Sequence, residues 1–363
     1  MNSTAASGAT LGSRVWRRRD FLILVFLFFF SVQCVRSHFL ENESNGMDWS
    51  KYAAGTAAMP YQGRVGMVPV LHWAEGSLIM IRAAEYYDGM MKAGSRYKEP
   101  VTVEKFASLL SSMLTTFGLL GFTVWYGRYK TVGPWWFPAV FLLEMITVMA
   151  ALHSEHTAWT PYDLPHAALF GVAVMCAYEG WWLAMLLLFA LDVPVRETSI
   201  FLFAVAIPMS YLRWKQPLWR TILLAFGMGT YWEAWRLWIK HRFAHNHNDT
   251  GQRFLVNLHE ISHPQHWPQM LCAGGYLILF IILERRRLSC NERLLLYCTL
   301  LSTPVTLYFG VWGESRIWLE WSLPWAVLAA AELYHFWNSR NGSVGSSRPR
   351  LDQKELSTSL TMV

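Results

Sequence analysis

Apolar runs near membrane-crossing length recur from residue 21 to residue 337, and that repetition limits the folds open to this chain. They fall at 21–35, 105–126, 134–152, 165–178, 180–193, 198–213, 217–238, 267–285, 293–311 and 318–337. A helix needs about 20 apolar residues to cross roughly 30 Å of hydrocarbon, and a backbone in lipid must satisfy its own polar groups. The pattern predicts an all-α, polytopic integral membrane protein with about ten transmembrane helices. Composition agrees: 53% of the 363 residues are hydrophobic and 15% charged, with 20 Trp and 21 Phe. Trp and Tyr gather at the ends of the runs, as interfacial belts do. The short runs 165–178 and 180–193 fit one broken or tilted helix pair equally well, a form tolerated where it lines a cavity.

Charge placement orients the threading. Arg14, Arg17, Arg18 and Arg19 precede the first run, and Arg18-Arg19-Asp20-Phe21-Leu22 faintly resembles a twin-arginine export signal. No small-x-small cleavage site follows, so an uncleaved first span is expected rather than a signal peptide. Later inner segments then carry Arg128 and Lys130, Arg213, Lys215 and Arg220, and Arg285, Arg286, Arg287 and Arg293. Short outer loops carry few basic residues, which fits an N-in, C-in cell-membrane protein. Residues 1–19 read as a cytoplasmic tail, 20–337 as the membrane domain and 338–363 as a disordered cytoplasmic tail. The first outer segment, 37–104, is too charged to span and too apolar to float free. One or two amphipathic helices lying in the interface are expected there. The formal charge of +6 reports inner loops and gives no reason to invoke nucleic acid. The five cysteines show no metal-ligand spacing and read as packing residues.

This threading collects polar residues on the outer side. His153, Glu155, His156 and Asp163 lie in one loop, and Arg196 and Glu197 in another. His241, His245, His247, Asp249, His259, Glu260, His263 and His266 lie between 240 and 266, and Glu314, Arg316 and Glu320 complete the set. Arg316 and Glu320 are four apart and share a helix face, so they pair either as a structural clamp or as the lining of a polar site. The histidines superficially resemble the boxes of membrane di-iron desaturases. Those boxes are cytoplasmic and contain consecutive His-His, neither of which holds here. Glu41, Glu43 and Asp48 follow the first span at the membrane surface. Such carboxylates serve as a general base, or ligate a divalent cation, Mg2+ or Mn2+, on a diphosphate. A plain solvated acidic loop is the alternative. Asn42-Glu43-Ser44 and Asn248-Asp249-Thr250 are glycosylation sequons, which matter in a eukaryote.

One ordered set of short motifs carries a resemblance. Pro60-Tyr61-Gln62-Gly63-Arg64 with Pro69, Tyr162-Asp163-Leu164-Pro165, Arg196-Glu197-Thr198, and Glu314-x-Arg316-Ile317-x-x-Glu320-x-x-x-Pro324 follow one another. In that order the chain, over roughly 20–337, resembles poorly characterised bacterial polytopic membrane proteins related to the GT-C glycosyltransferases. Gly63 stands where that group carries an aromatic residue. The resemblance implies a transferase on the outer face, taking a sugar from a polyprenyl-phosphate donor. It implies Asp48 as base or metal ligand, with Glu43 in reserve. Arg64, Arg196 and Arg316 would hold the lipid phosphate, Glu197, Glu314 and Glu320 would orient the arginines, and Asp163 would bind sugar hydroxyls. Two other functions compete. A transporter or flippase for lipid-linked or anionic solutes would use Glu144, Glu179, Glu233 and Glu332 as relay groups, although no internal repeat is evident. A metal-dependent membrane oxidoreductase would use the histidines.

Overall fold

The computed structural model describes residues 18–41, 49–59, 61–94, 100–129, 161–247, 254–267, 281–302, 304, 308 and 318–341. All regular elements among them are helical, so the fold is all-α. The described residues begin with α1 (Arg18–Glu41), then α2 (Trp49–Ala54), α3 (Val68–Gly76) and α4 (Leu78–Gly94). The long α5 (Val103–Tyr129) follows. Next come α6 (Asp163–Glu179), α7 (Trp182–Asp192), α8 (Leu202–Pro208), α9 (Leu218–Arg242) and α10 (Phe254–Ser262). The chain closes with α11 (Cys290–Leu300) and α12 (Ser322–Asn341). The expected span 134–152, most of 267–285 and the second half of 293–311 lie outside the described residues.

Helix α6 is the axis of the bundle. Its sequence, DLPHAALFGVAVMCAYE, puts small residues on most sides, and nearly every side chain is buried. Helices α5, α7, α8 and α12 pack around it. Gly171 lets α12 approach closely: a Cβ there would sit 3.3 Å from the Leu323 Cβ. Asp163 in the first turn suits the positive end of the helix dipole, and Pro165 loses no hydrogen bond so near the N-terminus. The helix ends at Gly180, whose φ of 77° is left-handed and whose N–H returns to Cys176 and Ala177. Helix α7 then folds back along α6, so the two short runs form a broken helix pair.

One expected span is subdivided. Residues 198–213 form a 3₁₀ turn (Glu197–Phe201), then α8, then a π-helical turn (Met209–Arg213). Pro208 has no N–H to give the ladder, and the helix widens at that point.

The bundle's outer faces are apolar. The stretch Val103–Thr123 of α5 is long and apolar enough to cross a bilayer, which points to membrane association. Helix α1 seats Leu27 against Leu120 of α5 but leaves Phe21, Leu22, Phe26 and Phe29 exposed. Leu183, Leu187 and Leu191 of α7 are exposed, as are Trp219, Leu223, Phe226 and Trp238 of α9.

Candidate functional site

Polar groups concentrate at the start of α6, deepest around His166. This side chain is 0% exposed. Its Nδ1 lies 2.8 Å from Asp192 at the end of α7, and its Nε2 lies 2.6 Å from Glu320 in the 3₁₀ turn Leu319–Trp321. Thr198 donates its hydroxyl to the same Glu320 oxygen at 2.9 Å and also sits 2.9 Å from Nε2. Phe170 packs on the His166 ring, and Trp321 meets Phe170 edge-on at 4.8 Å. Four separate stretches of chain therefore meet on one imidazole. The interior forces that economy, because a buried carboxylate without a partner is costly.

One layer outward, Arg196 (5% exposed) donates from Nη1 to Asp163 at 3.1 Å. The Arg196 Nε, also buried, has no hydrogen-bond partner among the described residues. Beyond that pair, Arg64 grips Glu197 in a two-pronged bridge, Nε to Oε2 at 2.9 Å and Nη2 to Oε1 at 2.6 Å. The Arg64 guanidinium also lies over the Tyr162 ring, 4.8 Å from its centroid. The Tyr52 hydroxyl donates to the Arg64 carbonyl. Gln62 ties the same loop down, accepting from the Ala57 N–H and donating to the Tyr52 carbonyl. Gly66 lies directly on the 194–195 backbone and donates its N–H to the Pro194 carbonyl at 2.8 Å. Arg64 is thus held against the 194–197 segment by its backbone as well as by its charge.

Electrostatics separate these layers. Glu197 keeps 49% of its side chain open beside Arg64, which is 11% exposed, and we call this partly open corner the recess. Burial opposes its charge, but Arg64, with help from Arg196, outweighs burial and holds the carboxyl down to about 2. Burial likewise opposes the Arg64 charge, and Glu197 and Tyr162 reverse the effect, so its pKa lies above the ordinary guanidinium value. Because the folded value of Glu197 is depressed, its pair with Arg64 stabilises the fold above the ordinary carboxylate pKa of about 4.3. That contribution disappears as pH falls through about 2. The expected result is a thermal-midpoint gap between wild type and Glu197→Gln that narrows steadily from pH 5 toward pH 2. A gap independent of pH in differential scanning fluorimetry would refute the pairing.

Of the residues the sequence singles out, Arg64, Asp163, Arg196, Glu197 and Glu320 lie together at this end of the bundle. Their pairing differs in part from what the resemblance implies: Glu197 orients Arg64, whereas Glu320 bonds His166 and Thr198. Asp48, Glu43, Glu314 and Arg316 lie outside the described residues. His166, Asp192 and Tyr52 are the members that sequence reasoning missed, while Thr198 and Tyr162 stood in the quoted motifs without a role of their own. Asp192 had a signal, since it is the one acid in the run 180–193.

Of the histidine-rich segments, residues 241–247 pack beside the loop that leads into Arg64, where the Met59 N–H donates to the His247 carbonyl at 2.8 Å. His153 and His156 lie outside the described residues, and His241, His245 and His247 stand on or just after the end of α9. The rings of His259 and His263 stack 4.2 Å apart on and just beyond α10. No group of three or more His, Cys, Asp or Glu among the described residues is arranged to hold a metal ion. Asp163 and Glu197 are each bonded to a guanidinium, whose charge repels a divalent cation. Asp48 and Glu43, the residues expected to ligate Mg2+ or Mn2+, lie outside the described residues. No family model, curated protein or solved structure matches this chain.

Proposed function

We propose that the chain is a multi-pass membrane protein whose recess at the α6 N-terminus receives a lipid-linked phosphate on the outer face, and that it transfers a sugar from that donor as GT-C glycosyltransferases do. The observation that carries this reading is the meeting of Arg64, Asp163, Arg196 and Glu197, drawn from three distant segments, beside a half-open carboxylate. Planar guanidinium forks suit phosphate oxygens, and charge-assisted bonds are the strong ones available to a protein. The exposed apolar faces of α1, α7 and α9 support about ten spans with both termini inside. The amphipathic α4, which exposes Leu78, Ile79 and Met90 and buries Met80 and Met91, supports an interfacial position for 37–104. Asp48 and Glu43 remain the proposed base and reserve.

The test uses membranes containing the full chain and a photoreactive polyprenyl phosphate. Crosslinking is expected in wild type, and a drop of about tenfold or more in Arg64→Gln and Arg196→Gln, since each charged hydrogen bond contributes about 1.5–3 kcal/mol. Equal crosslinking in all three, or no transfer of labelled sugar from a polyprenyl-phosphate sugar by wild type, would remove the transferase reading.

A second function, solute transport, draws on one observation. Glu332 of α12 is 1% exposed and neither carboxylate oxygen has a hydrogen-bond partner among the described residues. Proton relays use such groups. Uptake or efflux lost in Glu332→Gln, with crosslinking unchanged, would favour it.

A further inference from the structure

We propose that Glu197 is the resting occupant of an anion site and that an incoming phosphate displaces it from Arg64. The proposal rests on the phosphate-binding reading above and goes beyond it, because it gives the ion pair a part in admitting the ligand.

The four charged groups of the recess differ in how tightly they are built in. Asp163 stands on the first turn of α6, 9% exposed, and Arg196 is 5% exposed. Neither side chain leaves without unpacking the bundle. Glu197 is different, because its side chain is half open while its backbone is fixed. The residue before it bonds Asp163, the residue after it bonds Glu320, and its own carbonyl accepts from the Trp232 indole at 3.2 Å. Rotating the Glu197 side chain out of the recess therefore requires no backbone movement.

Arg64 stays in place when Glu197 leaves. Its guanidinium rests on Tyr162, its carbonyl accepts from Tyr52, and Gly66 fixes the segment against Pro194. Binding is favoured when donors are already positioned, because less ordering is required. A phosphate would meet the Arg64 fork and, beside it, Arg196, whose buried Nε has no acceptor among the described residues. A buried donor left unsatisfied is costly, so an acceptor arriving at Nε recovers energy that Glu197 does not. At rest, two guanidinium groups face two carboxylates. With Glu197 swung out, they lose one of the two carboxylates bonded to them, which favours an incoming anion.

The ligand chemistry is an anionic phosphate group, from a lipid headgroup or from free phosphate. Isothermal titration calorimetry of the full chain in detergent separates these, using dodecyl phosphate and inorganic phosphate as probes. Glu197→Gln and Glu197→Ala are expected to bind dodecyl phosphate about tenfold tighter than wild type, because the competing charge is gone. Arg64→Gln is expected to bind it about tenfold weaker. Equal or weaker binding by both Glu197 variants would overturn the exchange, whether or not wild type transfers sugar. Tighter binding by those variants in a protein that transfers no sugar would keep the exchange and remove the transferase reading. Inorganic phosphate matching dodecyl phosphate in affinity would keep the exchange and assign the ligand to a soluble phosphate.

Discussion

His166→Ala is expected to be the most damaging single substitution among the described polar residues. The imidazole is the shared partner of Asp192 and Glu320, which are 1% and 2% exposed. Removing it leaves two carboxylates facing a void, with only the Thr198 hydroxyl still bonded to one of them. Breaking a buried polar pair from one side costs about 3–5 kcal/mol, against a typical whole-domain stability of about 5–15 kcal/mol. The expected outcome is loss of folded protein, or a thermal midpoint lower by about 5 °C or more, read by tryptophan fluorescence in detergent. The same physics makes a sharper prediction. Removing the whole network together, as His166→Leu with Asp192→Leu and Glu320→Leu, is expected to cost less than His166→Ala alone, because no buried charge is stranded. Strictly additive losses would show that these side chains do not act as one unit.

What the sequence made legible follows from distance along the chain. Helix is readable from local periodicity and apolar length, so the all-α fold and most described helices were within reach, including the broken pair at Gly180. Charges are readable where they flank or interrupt apolar runs, which is why Asp163, Arg196, Glu197 and Glu320 stood out, whereas Arg64 stood out through the Pro60-Tyr61-Gln62-Gly63-Arg64 motif. Pairings are another matter. Arg64 finds Glu197 at a separation of 133 residues, and His166 finds Glu320 at 154, and no spacing rule reaches that far. A histidine one turn into an apolar helix carries no local mark of its partners. The split of residues 198–213 shows the opposite error: Pro208 was visible, but a π turn depends on how the surrounding helices accommodate the missing donor.

Gly66→Ala is expected to disturb the recess without touching any charged group. A Cβ there would lie 2.8 Å from the Val195 Cγ2, 2.9 Å from the Val195 nitrogen and 3.0 Å from the Pro194 carbonyl carbon. Two of those atoms are backbone, and that backbone is tied to α7, since the N–H groups of Val195 and Arg196 both donate to the Asp192 carbonyl. The segment carrying Arg64 must therefore be the part that moves. Overpacking of this kind costs about 1–3 kcal/mol. Gly180→Ala is the control, because it adds left-handed strain at φ 77° and a Cβ 2.7 Å from the Trp214 ring. It is expected to lower stability by a similar amount at the far end of α6, a helix of 17 residues spanning roughly 25 Å. Both variants should lose thermal stability, but only Gly66→Ala should weaken dodecyl phosphate binding, because only there is Arg64 pushed away from Arg196. Equal loss of binding in both would mean that general destabilisation, not the position of Arg64, controls the recess. Unchanged binding in Gly66→Ala would mean that phosphate is held elsewhere.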